Sequence, residues 1–193
     1  MIPVETFQQA LSRFRKETFR QPGWVPAAIL LPLYLKDQDW HVLLTRRTHK
    51  VEHHKGQISF PGGAYEEADR NLLETALREC QEEIGLNPND ATVLGELDDL
   101  PTITNFVISP FVASIPHPYP FAVNADEIDE LIEVPLQSLL RKDAFEPMGQ
   151  ATWRGHTLYR VRSNSYEIWG ATAMILKQFA DTIRGEIGPA TLD

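Results

Sequence analysis

The segment Phe60–Leu86, with the sequence FPGGAYEEADRNLLETALRECQEEIGL, decides the fold of this chain. It opens with a Pro-Gly-Gly turn and ends with a predicted helix that carries Glu79, Glu82 and Glu83. At 100° per residue, these three carboxylates lie close together on one side of the helix, where like charges repel one another. Because Mg²⁺ and Mn²⁺ favour carboxylate oxygens, this face predicts a divalent cation site rather than only a solvated acidic surface.

The same helix has an apolar stripe that anchors it in a core. The stripe has i, i+4, i+7 and i+11 spacing and consists of Leu73, Leu77, Cys80 and Ile84. The carboxylates fall outside it, so one helix can pack on a core and present acids to a cleft. Gly85 is expected to cap the C-terminus of the helix, and Asp69 its N-terminus.

The segment from Arg78 to Leu86, RECQEEIGL, resembles the second half of the Nudix box, the signature of Nudix hydrolases. Gly62 and Gly63 match the glycine opening of that box. Fourteen residues separate Gly63 from Arg78, whereas the usual box has thirteen. The first glutamate of the box therefore corresponds to Arg70 or to Asp69, and we prefer Asp69.

Upstream residues narrow the resemblance to one subgroup. The segments 43–48 (LLTRRT) and 56–63 (GQISFPGG) are similar to the extra motif of coenzyme A pyrophosphatases within the Nudix family. The longer box and the later Trp-Gly-Ala-Thr-Ala at 169–173 are also typical of that subgroup. Two residues depart from it, since Thr48 stands where Ser or Ala is usual and Glu52 where Arg is usual. Losing a cation at position 52 could weaken the binding of a phosphate-rich ligand or change the ligand.

The resemblance implies an α/β fold, a Nudix-type α/β/α sandwich with a mixed sheet, in a single domain over 1–193. An amphipathic pattern predicts an N-terminal packing helix at about 4–19. Strands are predicted at 27–35, 40–46, 92–97 and 106–115, and a hairpin at 157–162 and 166–169. Helices are predicted at 136–141 and 170–183, whereas 125–132 does not read as a simple helix.

The chemistry of a phosphoanhydride gives each candidate residue a role. Its charged oxygens repel a nucleophile, so a site needs cations on them, a positioned water and a base. The resemblance implies Glu79 and Glu83 as the main Mg²⁺ or Mn²⁺ ligands, with Glu82 assisting, and the Gly63 carbonyl could add a ligand. Any of the three glutamates could instead take the proton from water. Arg78 is expected to orient a box carboxylate.

Further candidates come from outside the box helix. Glu127, in the acidic segment 124–130, is expected to complete the catalytic set, or else to lie in a solvated loop. Arg47 matches the subgroup motif, and a guanidinium group suits phosphate. His49, His53 and His54 look like a metal cluster, but an oxygen-rich site does not need them, so phosphate contacts or plain loop residues are favoured. The predicted substrate-binding residues are Arg47, His54, Gly62 and Gly63.

Composition excludes several classes of protein. The net charge of −9 argues against sequence-independent nucleic-acid binding, which needs a basic surface. The single cysteine, Cys80, excludes an intramolecular disulfide and is consistent with a reducing cytoplasm. There is no 18-residue apolar run and no signal-peptide core, so no membrane association is expected. The expected partner is a small anionic nucleotide substrate, and a homodimer is compatible with these features.

Three functions fit the sequence in decreasing order. The first is a Mg²⁺-dependent pyrophosphatase that splits coenzyme A or its thioesters into 4′-phosphopantetheine (or its acyl form) and adenosine 3′,5′-bisphosphate. The second keeps this chemistry but acts on another substrate, such as ADP-ribose, a dinucleotide or a nucleoside triphosphate. The third is a sensor that binds a nucleotide without cleaving it. Such sensors usually lose box acids, whereas all three are present here.

Overall fold

A computed structural model of the chain describes residues 1–50, 55–153 and 156–187. Four helices lie within these residues: α1 (Val4–Arg13), α2 (Leu72–Ile84), α3 (Leu136–Leu140) and α4 (Gly170–Ile187). The strands are β1 (Val25–Lys36), β2 (Asp39–Arg47), β3 (Ile58–Ser59), β4 (Gly62–Ala64), β5 (Thr92–Glu96), β6 (Leu100–Pro101), β7 (Phe106–Ser114), β8 (Ile128–Pro135), β9 (Phe145–Trp153), β10 (His156–Ser163) and β11 (Tyr166–Trp169). No helix within the described ranges has the length and apolar character needed to cross a bilayer.

The main sheet is mixed because β1 has different neighbours along its length. Its first half pairs in antiparallel fashion with β4 and in parallel fashion with β7, and its second half pairs in antiparallel fashion with β2. Strand β8 pairs with β2, and β5 and β6 pair with β7. A separate sheet contains β9, β10 and β11. The long strand β1 therefore places the Gly-Gly strand beside the centre of the fold.

Helices cover both faces of the main sheet. Successive residues of a strand point to opposite faces, and β1 has buried residues on both of them. Ala28 and Leu30 belong to a buried cluster with Cys80 of α2, whereas Leu31 belongs to a second cluster with Phe179 of α4. This arrangement confirms the predicted α/β/α sandwich.

The two caps of α2 differ from each other in outcome. Gly85 caps its C-terminus in the left-handed conformation with φ of 71°, as predicted. At the N-terminus the prediction of Asp69 is wrong. The capping residue is Asn71, whose Oδ1 accepts a hydrogen bond from the backbone N–H of Glu74 at 3.0 Å. Asp69 lies one turn earlier in the chain and is buried against Arg78 and Thr75.

The N-terminal helix is shorter than predicted, because it ends at Arg13 rather than near residue 19. Phe14 is already extended, with φ of −67° and ψ of 127°. The backbone N–H of Glu17 donates to Asp98, and that of Phe19 donates to Asp99. These two carboxylates satisfy donors that a longer helix would have paired internally, so the chain leaves the helix and runs along the β5–β6 connection.

Two strands, β8 and β9, were not predicted from the sequence. In β8 the buried residues Ile128, Ile132 and Val134 are interspersed with acids, including Asp129 and Glu130, which hide the strand pattern. Arg46 of β2 forms ion pairs with both of these acids, at 3.0 and 2.9 Å. Cross-strand charge pairing thus accommodates an acidic strand beside a basic one.

Candidate active site

Glu83 lies at the centre of the candidate site and is almost completely buried, with 2% of its surface exposed. Its Oε1 is 3.2 Å from Nη1 of Arg47, and its Oε2 accepts a hydrogen bond from the backbone N–H of Gly62 at 3.4 Å. Burial raises the pKa of Glu83 from 4.5 to about 8, although Arg47 opposes the shift, and the nearby charge of Glu79 adds to it. The site therefore holds a carboxylate whose charge is only partly compensated.

Glu79 and Glu82 both contact the guanidinium group of Arg78. Nη1 of Arg78 is 2.9 Å from Glu79 Oε1 and 3.1 Å from Glu82 Oε2. Burial raises the pKa of Glu79 as well, and Arg78 opposes that shift. The side chain of Glu82 is the most exposed of the three box carboxylates, with 56% of its surface accessible. The helix thus presents one buried, one half-buried and one exposed acid along a single face.

Arg78 is itself held in place by Asp69. Nε and Nη2 of Arg78 contact the two carboxylate oxygens of Asp69 at 3.0 and 3.2 Å. Nη2 also donates to the backbone carbonyl of Ala64 at 3.1 Å. Asp69 further accepts hydrogen bonds from Thr75 Oγ1 and the backbone N–H of Glu66. Arg78 therefore ties the loop after the Gly-Gly strand to the carboxylates of α2.

The glycines at 62 and 63 allow the backbone of β4 to approach the acids closely. A Cβ atom at Gly63 would lie 2.4 Å from Oε1 of Glu79, and one at Gly62 would lie 2.4 Å from the carbonyl oxygen of Ala28. Gly62 also has φ of 154°, which favours glycine. No larger residue fits at either position without displacing a site carboxylate or the neighbouring strand.

A loop between β7 and β8 brings Glu127 to the box. The backbone N–H groups of Ala122 and Asn124 donate to the carbonyls of Ile84 and Glu83, at 3.1 and 2.9 Å, at the C-terminal end of α2. The negative charge of Glu127 raises the pKa of both Glu79 and Glu83. This loop docking was not predicted, because apart from the acids the segment has no pattern that indicates it.

Thr48 and Arg47 join the end of β2 to this loop and to the box. The backbone N–H of Thr48 donates to the carbonyl of Glu127 at 2.8 Å, and its hydroxyl donates to the carbonyl of Asp126 at 2.9 Å. The threonine thus fits as a buried tether. The adjacent Arg46 points away to β8. His54, predicted to bind substrate, and the departing residue Glu52 lie outside the described residues.

We tested whether these residues fit a divalent cation. Within the described ranges, no group of three or more His, Cys, Asp or Glu side chains is already arranged around a common point for a metal. Instead, Glu79 and Glu82 face Arg78, and Glu83 faces Arg47. The donor set still suits Mg²⁺ or Mn²⁺, because all of the acids offer oxygen ligands and the burial of two of them leaves negative charge that a cation would stabilise.

A cleft of about 800 Å³ opens on the other side of the Gly-Gly strand. Arg47, Gly62 and Gly63 line the end of the cleft that adjoins the box. The remaining walls come from the β6–β7 connection, the second sheet and the start of α4, including Ile103 and Trp169. Sequence patterns did not predict this cleft, because its walls come from distant segments that meet only in the folded chain.

Comparison with known proteins identifies the family. The model of the NUDIX domain matches residues 24–152, about two thirds of the chain. A protein of Salmonella dublin named "Uncharacterized Nudix hydrolase NudL" is 34% identical over 182 residues, covering 91% of this chain and 93% of that protein. A protein of the same name from Salmonella paratyphi B is 35% identical over 180 residues, covering 92% and 91%.

Two solved structures share the fold at lower identity. A MutT/nudix family protein from Enterococcus faecalis has a TM-score of 0.54 and 16% identity, covering 94% of this chain and 70% of that one. An Ap4A hydrolase from C. elegans has a TM-score of 0.50 and 16% identity, covering 60% and 83%. Given the matching domain model and the relatives with more than 30% identity over nine tenths of the chain, this protein belongs to the Nudix hydrolases, enzymes that act on phosphoanhydrides.

Proposed function

We propose that this protein is a Mg²⁺- or Mn²⁺-dependent pyrophosphatase that hydrolyses coenzyme A or acyl-coenzyme A. The products are 4′-phosphopantetheine, or its acyl form, and adenosine 3′,5′-bisphosphate. The observation that carries the proposal is the buried carboxylate of Glu83, with its raised pKa, surrounded by Glu79, Arg47 and the Gly-Gly strand. The upstream motif at 43–63 supplies the resemblance to coenzyme A pyrophosphatases.

The box acids would hold the cation in this proposal. Glu79 and Glu83 are the main ligands, Glu82 assists, and the Gly63 carbonyl and Glu127 complete the set. A divalent cation bound there neutralises the phosphate oxygens and lowers the pKa of bound water.

The chain's own groups orient the reacting partners. Arg78, fixed by Asp69, keeps Glu79 and Glu82 in place along the helix face. Arg47 lies between the box and the cleft, where its guanidinium group can contact a substrate phosphate once Glu83 faces a cation. A box glutamate that does not hold the cation accepts the proton of the attacking water.

A second substrate class stays open because of one residue. Glu52 places an acid where coenzyme A pyrophosphatases usually have an arginine, which favours a ligand with fewer phosphates, such as ADP-ribose. A sensor without activity is disfavoured, because Glu79, Glu82 and Glu83 are all retained and lie together on α2.

A substrate panel tests the proposal directly. Purified protein with Mg²⁺ would be incubated with coenzyme A, dephospho-coenzyme A, ADP-ribose and ATP, and the products separated by chromatography. We expect the highest kcat/KM for coenzyme A or its thioesters, with adenosine 3′,5′-bisphosphate as a product. Rapid ADP-ribose cleavage beside negligible coenzyme A cleavage would reject the narrower proposal and leave a Nudix pyrophosphatase of another substrate.

A further inference from the structure

The cleft of about 800 Å³ lies on the face of the main sheet opposite α2. Ile29 and Ile108 line it and pack against the buried cluster that includes α4. Ala28, the residue before Ile29 on β1, packs instead with α2. The Gly-Gly strand and Arg47 form the boundary between the carboxylates on one face and the cleft on the other. A substrate with its phosphates at the box can therefore extend past this boundary into the cleft.

The walls of the cleft beyond this boundary are mainly apolar. Phe106, Met148, Leu158 and Met174 line it, together with Ile103 and Trp169 at its rim. Ile103 is 73% exposed and Trp169 is 49% exposed, although both are large apolar side chains. Exposed apolar surface that continues into a cleft of this size is typical of a site that takes up an apolar ligand group.

Charged and hydroxyl groups in the cleft walls are engaged within the protein. Of the described lining residues, Arg47 and Glu167 carry charge, and Glu167 forms an ion pair with Arg162 at 3.1 Å. Thr172 Oγ1 donates to the carbonyl of Ile58 at 3.0 Å, and Thr102 Oγ1 donates to that of Phe106 at 3.2 Å.

This wall chemistry distinguishes two kinds of occupant. A nucleobase carries several donors and acceptors that lose free energy when they are buried without partners. An aliphatic chain has no such groups, and it gains free energy from every methylene removed from water. The cleft therefore suits an aliphatic chain better than a base.

We infer that this cleft binds the aliphatic acyl chain of an acylated substrate, so that acyl-coenzyme A thioesters are preferred over free coenzyme A. The inference rests on the proposed function and adds the substrate class to it. The pyrophosphate lies at the box, the pantetheine arm passes Arg47 and Gly62, and the acyl chain contacts Met174 and Trp169. The thioester bond itself takes no part in the reaction.

A chain-length series tests this placement. Free coenzyme A and its acetyl, butyryl, octanoyl and palmitoyl thioesters would be compared by kcat/KM with saturating Mg²⁺. Each methylene that enters the cleft is expected to raise kcat/KM by up to about fourfold until the cleft is full. The octanoyl thioester should exceed free coenzyme A by at least about tenfold.

Two variants locate the effect in the cleft, and one serves as a control. Met174→Gln keeps the side-chain length but adds an amide, so it should lower kcat/KM for the octanoyl thioester by about tenfold and for free coenzyme A by less than about twofold. Ala171→Trp, also on the wall, should shorten the optimal acyl chain. Val93→Gln changes an apolar residue of β5 that is 39% exposed, and it should alter neither value.

The possible outcomes separate the inference from the proposed function. Equal kcat/KM for free and acylated coenzyme A would overturn the inference and leave the proposed function intact. An equal loss on all substrates in a folded Met174→Gln protein, or an unchanged length optimum in Ala171→Trp, would also overturn it, because the cleft would then not hold the acyl chain. No cleavage of any coenzyme A species would overturn both.

Discussion

Glu83 combines burial with ionisation, two properties that oppose each other in a folded protein. Only 2% of its surface is exposed, and its nearest compensating charge is the guanidinium group of Arg47 at 3.2 Å. The second neighbouring charge, from Glu79, has the same sign as its own and raises its pKa further. Such an arrangement costs stability in the metal-free protein, and it is typical of carboxylates that are arranged to bind a cation.

Replacing Glu83 with glutamine should separate stability from activity. A carboxyl whose pKa rises from 4.5 to about 8 on folding binds its proton more tightly in the folded state, so stability falls as the pH rises through this window. In the metal-free protein, Glu83→Gln should reduce this fall and raise Tm at pH 8. With Mg²⁺ its kcat should drop by on the order of 10³. Turnover close to that of the wild type would show that Glu83 is not part of the chemistry.

The neighbouring arginines of β2 offer a matched comparison. Arg47 lines the cleft and contacts Glu83, whereas Arg46 pairs with Asp129 and Glu130 on the opposite side of the strand. Arg47→Ala should raise KM for coenzyme A by about ten- to a hundredfold, since a charge-assisted contact contributes roughly 1.5–3 kcal/mol. Arg46→Ala should change it by less than about twofold. Similar KM values for the two variants would remove Arg47 from the substrate site. A smaller effect of Arg47→Ala on dephospho-coenzyme A would assign its contact to the 3′-phosphate.

At the scale of elements, helix α2 depends on anchors at both ends. Asn71 caps its N-terminus, Gly85 ends it, and the loop through Asn124 satisfies its last carbonyls. Asp69 adds a tertiary anchor by fixing Arg78, the residue that holds two of the box acids. The positions of the acids therefore depend on the whole segment from the Gly-Gly strand to the β7–β8 loop.

Asp69 and Asn71 should contribute to stability with different pH dependence. Hydrogen bonds from Arg78 hold the pKa of Asp69 at about 2, below its ordinary 3.8, so its contribution is present above pH 4 and lost as the pH falls through 2. Asp69→Asn should lower Tm at neutral pH and reduce the loss of stability between pH 4 and 2.

The cap provides the control for that measurement. Asn71→Ala should cost about 1 kcal/mol at every pH, equivalent to about 2–4 °C in Tm, and leave kcat within about twofold. If Asp69→Asn shows the same acid-induced loss of stability as the wild type, its ion pair with Arg78 does not contribute in this way.

The sequence predicts those elements whose local signals agree with the tertiary structure. Helix α2 is one of them, because its stripe, its C-terminal glycine and its acids all indicate the same helix. Strand β8 was missed because its acids are paired by Arg46 across the sheet, a compensation that local patterns do not show. The end of α1 was misplaced for a similar reason, since Asp98 and Asp99 capture backbone groups from a distant part of the chain.

At the scale of the whole molecule, the candidate site joins two faces of one sheet. The box residues could be named from the sequence, because they lie within one continuous segment. The cleft could not, since Gly63, Ile103 and Trp169 are far apart in the chain and meet only after folding. The association of Glu127 with the box also depends on loop docking rather than on a local motif.

The net charge of −9 makes a bound cation important for an anionic substrate. The two arginines that face the box acids are engaged with them in the metal-free protein, so they offer little attraction to phosphates as they stand. A cation at the box would compensate the acids and leave Arg47 available to the substrate.

The most direct test of this account is turnover after removal and return of the metal. Protein stripped with EDTA and freed of chelator would be assayed with coenzyme A while Mg²⁺ or Mn²⁺ is added in steps, with Ca²⁺ as a comparison. We predict no turnover without metal and full recovery with Mg²⁺ or Mn²⁺, with adenosine 3′,5′-bisphosphate released. Full turnover in excess EDTA after stripping would contradict the central claim that the box carboxylates act through a divalent cation.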